Sequence, residues 1–422
     1  MASALHGRTL FPNLQSLWWE RPQDDCIPLL QLCITPRLKR LELRGDRYQE
    51  LSASWNQGAC SIVHQLADLA QQQLQLAELK LLDHFCVPAV LDVIPLSFPH
   101  LRTLHLTFDP LSDIGSHFDT IPVSKFLQSL ADLSHLEELS LIAPLHLLHH
   151  QPDQPKLRFA QLKTLSIGCW FHETLQFLSM AQFPSLSSFS LDLVLSPHLG
   201  HDHDWNLLFE ALSGCVAFSR LRELAIRPWE KQKGDDMWPE FMAAQQGVEF
   251  QDLAQYLVQM RLTRFDCPFP IFRSLGMDDL KSLSPNWKDI EVLTLYTADA
   301  AQLGVGALRY IATAFPKLRS LSVNLDVHGY IPKYTAGMEH PLDMMTLQLE
   351  RFARRTVEVV EFVTYVDACF PNLTSITELR SGGWREVEQE YGRPGSVVSQ
   401  VHQQVRFVRG RERERVVGGV SV

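Results

Sequence analysis

The chain has 422 residues, 45% of them hydrophobic, which is material for a large buried core and excludes wholesale disorder. A formal charge of -10 lacks the basic footprint of a general nucleic-acid binder. The eight cysteines (Cys26, Cys33, Cys60, Cys86, Cys169, Cys215, Cys267, Cys369) are scattered without a C-x-x-C pair, which speaks against a disulfide framework or a clustered zinc site and for reduced thiols.

In chain order, the opening MASALHGRTLFPNL lacks the apolar run of about 7–15 residues expected of a secretory signal. No later stretch reaches the roughly 18 apolar residues of a membrane span. A cytoplasmic or nuclear protein is expected, with no membrane and no nucleic acid among its partners. One phrase then recurs, an aromatic and often a proline followed by L-x-x-L-x-L. Its copies are FPNLQSLWW from Phe11, TPRLKRLEL, LAELKL, FPHLRTLHL from Phe98, LSHLEELSL, FAQLKTLSI, FPSLSSFSL from Phe183, FSRLRELAI, LTRFDC, WKDIEVLTL, FPKLRSLSV from Phe315 and a degrading FPNLTSITEL from Phe370. The first apolar position of each copy is Leu14, Leu38, Leu76, Leu101, Leu136, Leu162, Leu186, Leu221, Leu262, Ile290, Leu318 and Leu373. Several intervals are 24 to 28 residues and others 35 to 55, so the repeats carry insertions.

Within the phrase the last two apolar residues are two apart, the period of a strand with one buried face. Leu104 and Leu106 are therefore expected in the core and His105 outside it. The preceding prolines (Pro99, Pro184, Pro316) fix the backbone where no donated hydrogen bond is needed and stop the previous helix. Between phrases the period moves towards 3.6. Apolar stripes over SIVHQLADLAQQQ, VSKFLQSLADL, NLLFEALSGCVAF, DLAQYLVQM, VGALRYIATAF and the run from Met344 to Phe370 predict helices.

One strand and one helix per repeat, stacked because no single repeat buries its own apolar face, make an α/β leucine-rich-repeat solenoid, or horseshoe. Parallel strands are expected on the concave wall and helices on the convex wall, in about twelve irregular repeats from residue 8 to 380. Residues 381–422 read as a C-terminal tail, disordered from about 395, with the charge run RGRERER. Regular members of the repeat class place Asn or Cys just past the strand. Pro22, Asp109, Pro144, Trp170, Val194, Trp229 and Asp326 stand there instead, so irregular turns are expected. Two insertions stand out, Arg227 to Gly247 and Asp326 to Asp343, whose Trp229, Trp238, Tyr330 and Tyr334 either meet a partner or pin the loops.

Chemistry-bearing clusters are few. His198, His201, Asp202, His203 and Asp204 could hold a divalent metal, but no spacing enforces a coordination geometry, and a polar loop is the plainer reading. His146, His149 and His150 form a weaker group. Phosphate-binding loops, nucleophile elbows and H-E-x-x-H motifs are missing from the sequence. Adjacent Glu137 and Glu138 face opposite ways on a strand and cannot act together. No enzyme, cofactor or metal is expected. Function is expected on the outward strand positions. The candidates for partner binding are Trp18, Arg40, Glu42, Lys80, His105, Arg264, Asp266 and Tyr296, flanking a hydroxyl-rich middle that includes Ser140, Ser166 and Ser190.

The recurring F-P-x-L-x-x-L-x-L, with helices and irregular insertions between, resembles the leucine-rich-repeat region of fungal F-box proteins over nearly the whole repeat array. The resemblance implies a receptor whose repeats capture a protein for ubiquitination, while a small amino-terminal F-box docks on a Skp-type adaptor. The first repeat starts at Phe11, and no L-P-x-E-type opening precedes it, so adaptor binding is expected only if an F-box lies upstream. The rival is a regulator of a small GTPase, like the leucine-rich-repeat activators of Ran. Those keep the Asn ladder and an acidic tail.

Overall fold

The computed structural model describes residues 10–20, 32–44, 75–82, 94–107, 123–142, 156–194, 204–229, 247–299, 303–327, 331–332, 340–350, 356–380 and 398–407. Thirteen parallel strands follow one another in chain order, and the chain divides into two compact units.

The first unit is Met1–Val194 with Glu210–Arg220. It contains β1 (Ser16–Glu20), β2 (Arg40–Arg44), β3 (Glu78–Leu82), β4 (Thr103–Thr107), β5 (Glu138–Ile142), β7 (Thr164–Cys169) and β9 (Ser188–Leu193), in that sheet order. The short strands β6 (Leu157–Arg158) and β8 (Ala181–Gln182) pair separately. Helices α1 (Val123–Ala131) and α2 (Phe171–Met180) lie between strands. The second unit is Leu195–Phe209 with Leu221–Val422. It holds β10 (Glu223–Pro228), β11 (Arg264–Asp266), β12 (Val292–Leu295), β13 (Ser320–Asp326), β14 (Met344–Glu350) and β15 (Ser375–Arg380). Its helices are α4 (Phe250–Leu257), α5 (Met277–Leu283), α6 (Ala307–Ala314) and α7 (Thr356–Cys369), and α3 (Trp205–Cys215) draws residues from both units.

The repeat phrase explains this architecture. In F-P-x-L the amide of the leucine donates to the carbonyl three residues earlier: Leu101 to Phe98 at 3.1 Å, Leu318 to Phe315 at 3.1 Å, Leu373 to Phe370 at 3.1 Å. This is a β-turn with proline at its second place, where a fixed φ is wanted and no amide is needed. The turn is then tied to its predecessor by one shared carbonyl. Lys39 O accepts from Ala77 N and Glu78 N, Ala77 O from Arg102 N and Thr103 N, and Arg102 O from Glu137 N and Glu138 N. Each strand is thereby aligned before its own ladder begins. The registers follow: Leu41, Leu79, Leu104, Leu139, Leu165 and Phe189 form one column of the first unit. Leu224, Phe265, Leu293, Leu321, Met345 and Ile376 form the matching column of the second. None of these twelve side chains is more than 3% exposed. This is the leucine-rich-repeat fold, with one face of the strands buried from β2 onward and the inward side chains of β1 half-buried.

Four elements differ from the sequence reading. The run from Met344 to Phe370 is not one helix. Met344–Glu350 is a thirteenth strand, in register with β13 on one side and β15 on the other, and α7 begins only at Thr356. Methionine at 345 fills the leucine place, and His340-Pro341-Leu342 replaces the aromatic entry phrase, so the alternation is chemically disguised. The helices α2 and α5 occupy segments without a long apolar stripe. Residues 398–407, inside the stretch read as a tail, are helical, with Val398 and His402 buried and Val401 and Val405 half-buried on the same face. The expected helix over 61–73 and the histidines at 146, 149, 150, 198, 201 and 203 lie outside the described residues.

His340 joins three repeats. Its Nε2–H donates to the Phe315 carbonyl at 3.0 Å, its Nδ1 accepts from the Leu342 amide at 3.1 Å, and its ring meets Phe370 edge-on at 5.1 Å. Both nitrogens are thus committed to the neutral form, and burial holds the imidazole below its ordinary value. In acid the unfolded chain takes up a proton near the usual histidine pKa of about 6.5, and the folded chain refuses it until lower pH. This contribution to stability is therefore complete above that value and declines as the pH falls below it. His340→Gln is expected to melt below the parent at about pH 7.5 but to lose less on going to about pH 5.5. Equal acid losses in both proteins would assign the sensitivity to another group.

Candidate functional site

The outward positions of the strands form rows across the solvent face of each sheet. At the start of the first unit, β1 shows Trp18, 64% exposed. On β2 and β3 five charges form a chain. Arg40 Nε lies 3.3 Å from Glu78, Glu78 is 3.0 Å from Lys80 Nζ, Lys80 is 4.0 Å from Glu42, and Glu42 is 3.8 Å from Arg44. Three cations and two carboxylates leave one positive charge in excess. The partly exposed pairs are each worth only about 0–1 kcal/mol, so their effect is to orient side chains rather than to hold the fold. On β4, His105 Nε2 sits 2.9 Å from Glu138 Oε1 of β5. Glu137 instead bonds Lys163 at 2.7 Å, which brings its carboxyl below the usual range, so the two neighbouring glutamates serve different partners.

From β5 onward the face becomes small and hydroxyl-bearing: Ser140, Ser166 and Ser190 share one row and are half-buried. In the next row, a Cβ on Gly168 would meet Ile142 side-chain carbons at 2.7 and 2.8 Å. Glycine there lets the Ile142 side chain lie flat across the adjoining strand.

On the strands of the second unit an ion-pair cluster forms around Asp266. Asp266 on β11 receives Arg227 from the end of β10, through Nε at 2.9 Å and through Nη2, and Arg264 from its own strand at 2.9 Å, all on Oδ2. Thr294 of β12 donates to the other oxygen at 3.3 Å. Burial pushes the Asp266 carboxyl up, but the hydrogen bonds and charges of the two guanidiniums outweigh it and hold the group below the ordinary aspartate range. Tyr296, the last of the expected partner-binding residues, is only 5% exposed. Trp229, at the mouth of the first insertion, is buried as well, while Trp238, Tyr330 and Tyr334 lie outside the described residues.

Seven of the eight expected residues therefore reach solvent to some degree, in two groups: Trp18, Arg40, Glu42, Lys80 and His105 in the first unit, Arg264 and Asp266 in the second. The expected partner-binding set omitted Arg44, Glu138 and Arg227. Counting by twos one step further along each strand reaches Arg44 and Arg227, and Glu138 is the first outward place of its own.

Asp204 caps α3, its Oδ1 accepting the amides of Asn206 and Leu207 at 3.0 and 3.3 Å. Among the described residues, no group of three or more His, Cys, Asp or Glu is placed to hold a metal ion, and no helix is long and apolar enough to cross a membrane. Burial pushes the Cys215 thiol up to about 12 and the thiols of Cys169 and Cys267 upward as well, away from the reactive thiolate.

No protein-family model and no curated protein sequence matches the chain. Solved structures do. The chain is similar to one in the crystal structure of the Rad7 and Elc1 complex in yeast, at 16% identity and a TM-score of 0.37, over 85% of this chain and 78% of that one. It is also similar to a protein from Bacteroides fragilis, at 12% identity and a TM-score of 0.26, over 74% and 61% of the two chains. A third is the leucine-rich-repeat-containing protein LegL7 from Legionella pneumophila, at 12% identity and a TM-score of 0.24, over 71% and 92%.

Proposed function

We propose that the chain is a non-enzymatic scaffold that binds another protein across the solvent face of its parallel strands. More specifically, it would be the substrate-recognition part of a ubiquitin-ligase receptor of the F-box type. The observation that carries the binding reading is the outward row from Trp18 through Glu42 and Lys80 to His105, side chains of neighbouring strands in one-to-one register. An exposed indole beside charges already oriented by their neighbours gives a partner a large contact area at little cost in side-chain ordering. The ligase reading is supported by the resemblance of the repeat phrase to that receptor family.

The test is affinity capture with the parent chain, with Trp18→Ala combined with Arg40→Glu, and with Glu210→Lys on the exposed side of α3. A protein retained by the parent and by Glu210→Lys, and reduced at least about tenfold by the face variant, is the expected result. Equal recovery with all three would refute the face as the binding surface. A Skp-type adaptor recovered with the captured protein is expected from the ligase reading. Capture of the partner in the adaptor's absence would leave a plain scaffold.

A further inference from the structure

We infer that β1 is the contact through which two copies of this chain join, strand edge to strand edge, into a two-fold dimer. The inference goes beyond the scaffold reading and does not need it. It begins with the repeat phrase. In the copies at Phe98, Phe183, Phe315 and Phe370 the opening aromatic is at most 1% exposed, whereas Phe11 is 55% exposed. Leu14, Leu17 and Trp19 are half-buried, at the places where the next repeat fully buries Leu38, Leu41 and Leu43. The first repeat thus shows solvent the core surface that later repeats pass to a neighbour, and repeats of this kind depend on a neighbour to cover it.

The main chain of β1 is open on the same side. β1 ends the sheet: β2 pairs with it on one edge, and among the described residues no strand pairs with the other. The Gln15 carbonyl accepts from the amides of Lys39 and Arg40, so in the alternation of a parallel ladder Gln15, Leu17 and Trp19 turn their main-chain groups to β2. Ser16, Trp18 and Glu20 turn theirs to the open side. Edges of this sort are ordinarily guarded by lysine, proline or a bulge. The strand SLWWE holds neither lysine nor proline.

Three properties select a second copy as the occupant. The first is hydrogen bonding. An antiparallel pair centred on Trp18 sets Trp18 opposite Trp18 and Ser16 opposite Glu20 in both directions, so all three outward residues exchange amide and carbonyl bonds with their counterparts at once. The second is side-chain pairing. The same register sets Leu17 against Trp19 on the inner face and indole beside indole on the solvent face, cross-strand pairs of the kind that stabilise sheets. The third is charge. Residues 10–20 hold one charged side chain, Glu20, in a chain that is 20% charged. Pairing leaves the two Glu20 groups at opposite ends of the contact, each against a serine, while within each chain Arg40 and Arg44 of β2 face Ser16 and Glu20. The contact is its own complement, so it closes at two copies and carries the solvent face of one sheet on into the other.

The test is sedimentation velocity of the full chain over a wide range of concentration. A monomer–dimer equilibrium is expected. Trp18→Pro removes an outward amide and leaves every main-chain bond to β2, so it should weaken the dimer about tenfold or more. Ser16→Glu sets like charges face to face at both ends of the contact and should weaken it several-fold, and adding Glu20→Lys should restore it. That reversal is specific to the proposed register, and it keeps the test decisive if melting curves show that Trp18→Pro fails to fold. A chain that stays monomeric at every concentration overturns the inference. So does a dimer that folded Trp18→Pro leaves unchanged, or one that the double change does not restore, because its contact lies elsewhere or in another register. Growth beyond two copies would mean that β1 meets a different surface of the chain, and overturns the two-fold pairing.

Discussion

Trp287→Ala is expected to destabilise the second unit by about 3–5 kcal/mol, the range for emptying a large buried aromatic site. The indole opens the entry turn of β12, is fully buried, and lies 5.3 Å from the ring of Phe265. Its Nε1 donates to the Leu257 carbonyl at 3.2 Å, at the end of α4, so one side chain ties a helix terminus to two neighbouring strands. Alanine would leave a cavity and remove one of two hydrogen bonds to the Leu257 carbonyl, which keeps the Met260 amide at 3.2 Å, and the second loss adds to the first. Trp287→Phe keeps most of the volume and loses the donor, with an expected cost of about 1–2 kcal/mol. Urea unfolding of the three proteins separates the two contributions. A loss below about 1 kcal/mol for the alanine variant would mean that the surroundings collapse into the space.

Gly247→Ala should be nearly as damaging, through the backbone. Gly247 has φ of 61°, and a Cβ placed there falls 2.6 Å from the Arg273 amide nitrogen and 2.7 Å from the Phe272 carbonyl oxygen. The next residue, Val248, exchanges hydrogen bonds with this segment, its amide to Ile271 at 2.9 Å and its carbonyl from Arg273 at 2.8 Å. A methyl group would therefore have to separate two stretches of main chain in addition to adopting a left-handed conformation. Together these cost about 2–4 kcal/mol. Gly214 in α3 is the matched control. Outside its own turn of helix no atom lies within 4 Å of the place a methyl group would take there, so alanine is expected to stabilise by about 0.5–1 kcal/mol. Opposite signs from the same chemical change, read by thermal unfolding, would separate packing from helix propensity. A tolerated Gly247→Ala would show that the turn has another conformation available.

The sequence alone made the strands legible because their chemistry is redundant. A leucine misplaced by one residue would put every neighbour on the wrong face, so L-x-x-L-x-L survives even where the aromatic or the proline is lost, as at Leu136 and Leu221. β14 escaped because three substitutions coincide, His340 for the aromatic, Met344 on the solvent side and Met345 for leucine, and these make the alternation look like a helical stripe. The outward residues could be counted, but their partners could not. Pairing of Arg227 with Asp266 depends on which strands are neighbours across 39 positions of chain. The burial of Tyr296 depends on what lies above the strand ends, and alternation says nothing of that.

The shared carbonyls at the entry turns also bear on how such a chain can change. From Leu162 to Leu186 the backbone takes 24 residues and from Leu221 to Leu262 it takes 41, yet both steps end in the same one-to-one alignment. Alignment is settled by two amides and one oxygen at the doorway of each strand, so the length of the excursion before it is free. Connections can be lengthened, shortened or exchanged while the outward columns stay in place. Periphery and face can therefore diversify independently, and grafting a foreign loop between two doorways should leave the rows of outward side chains undisturbed.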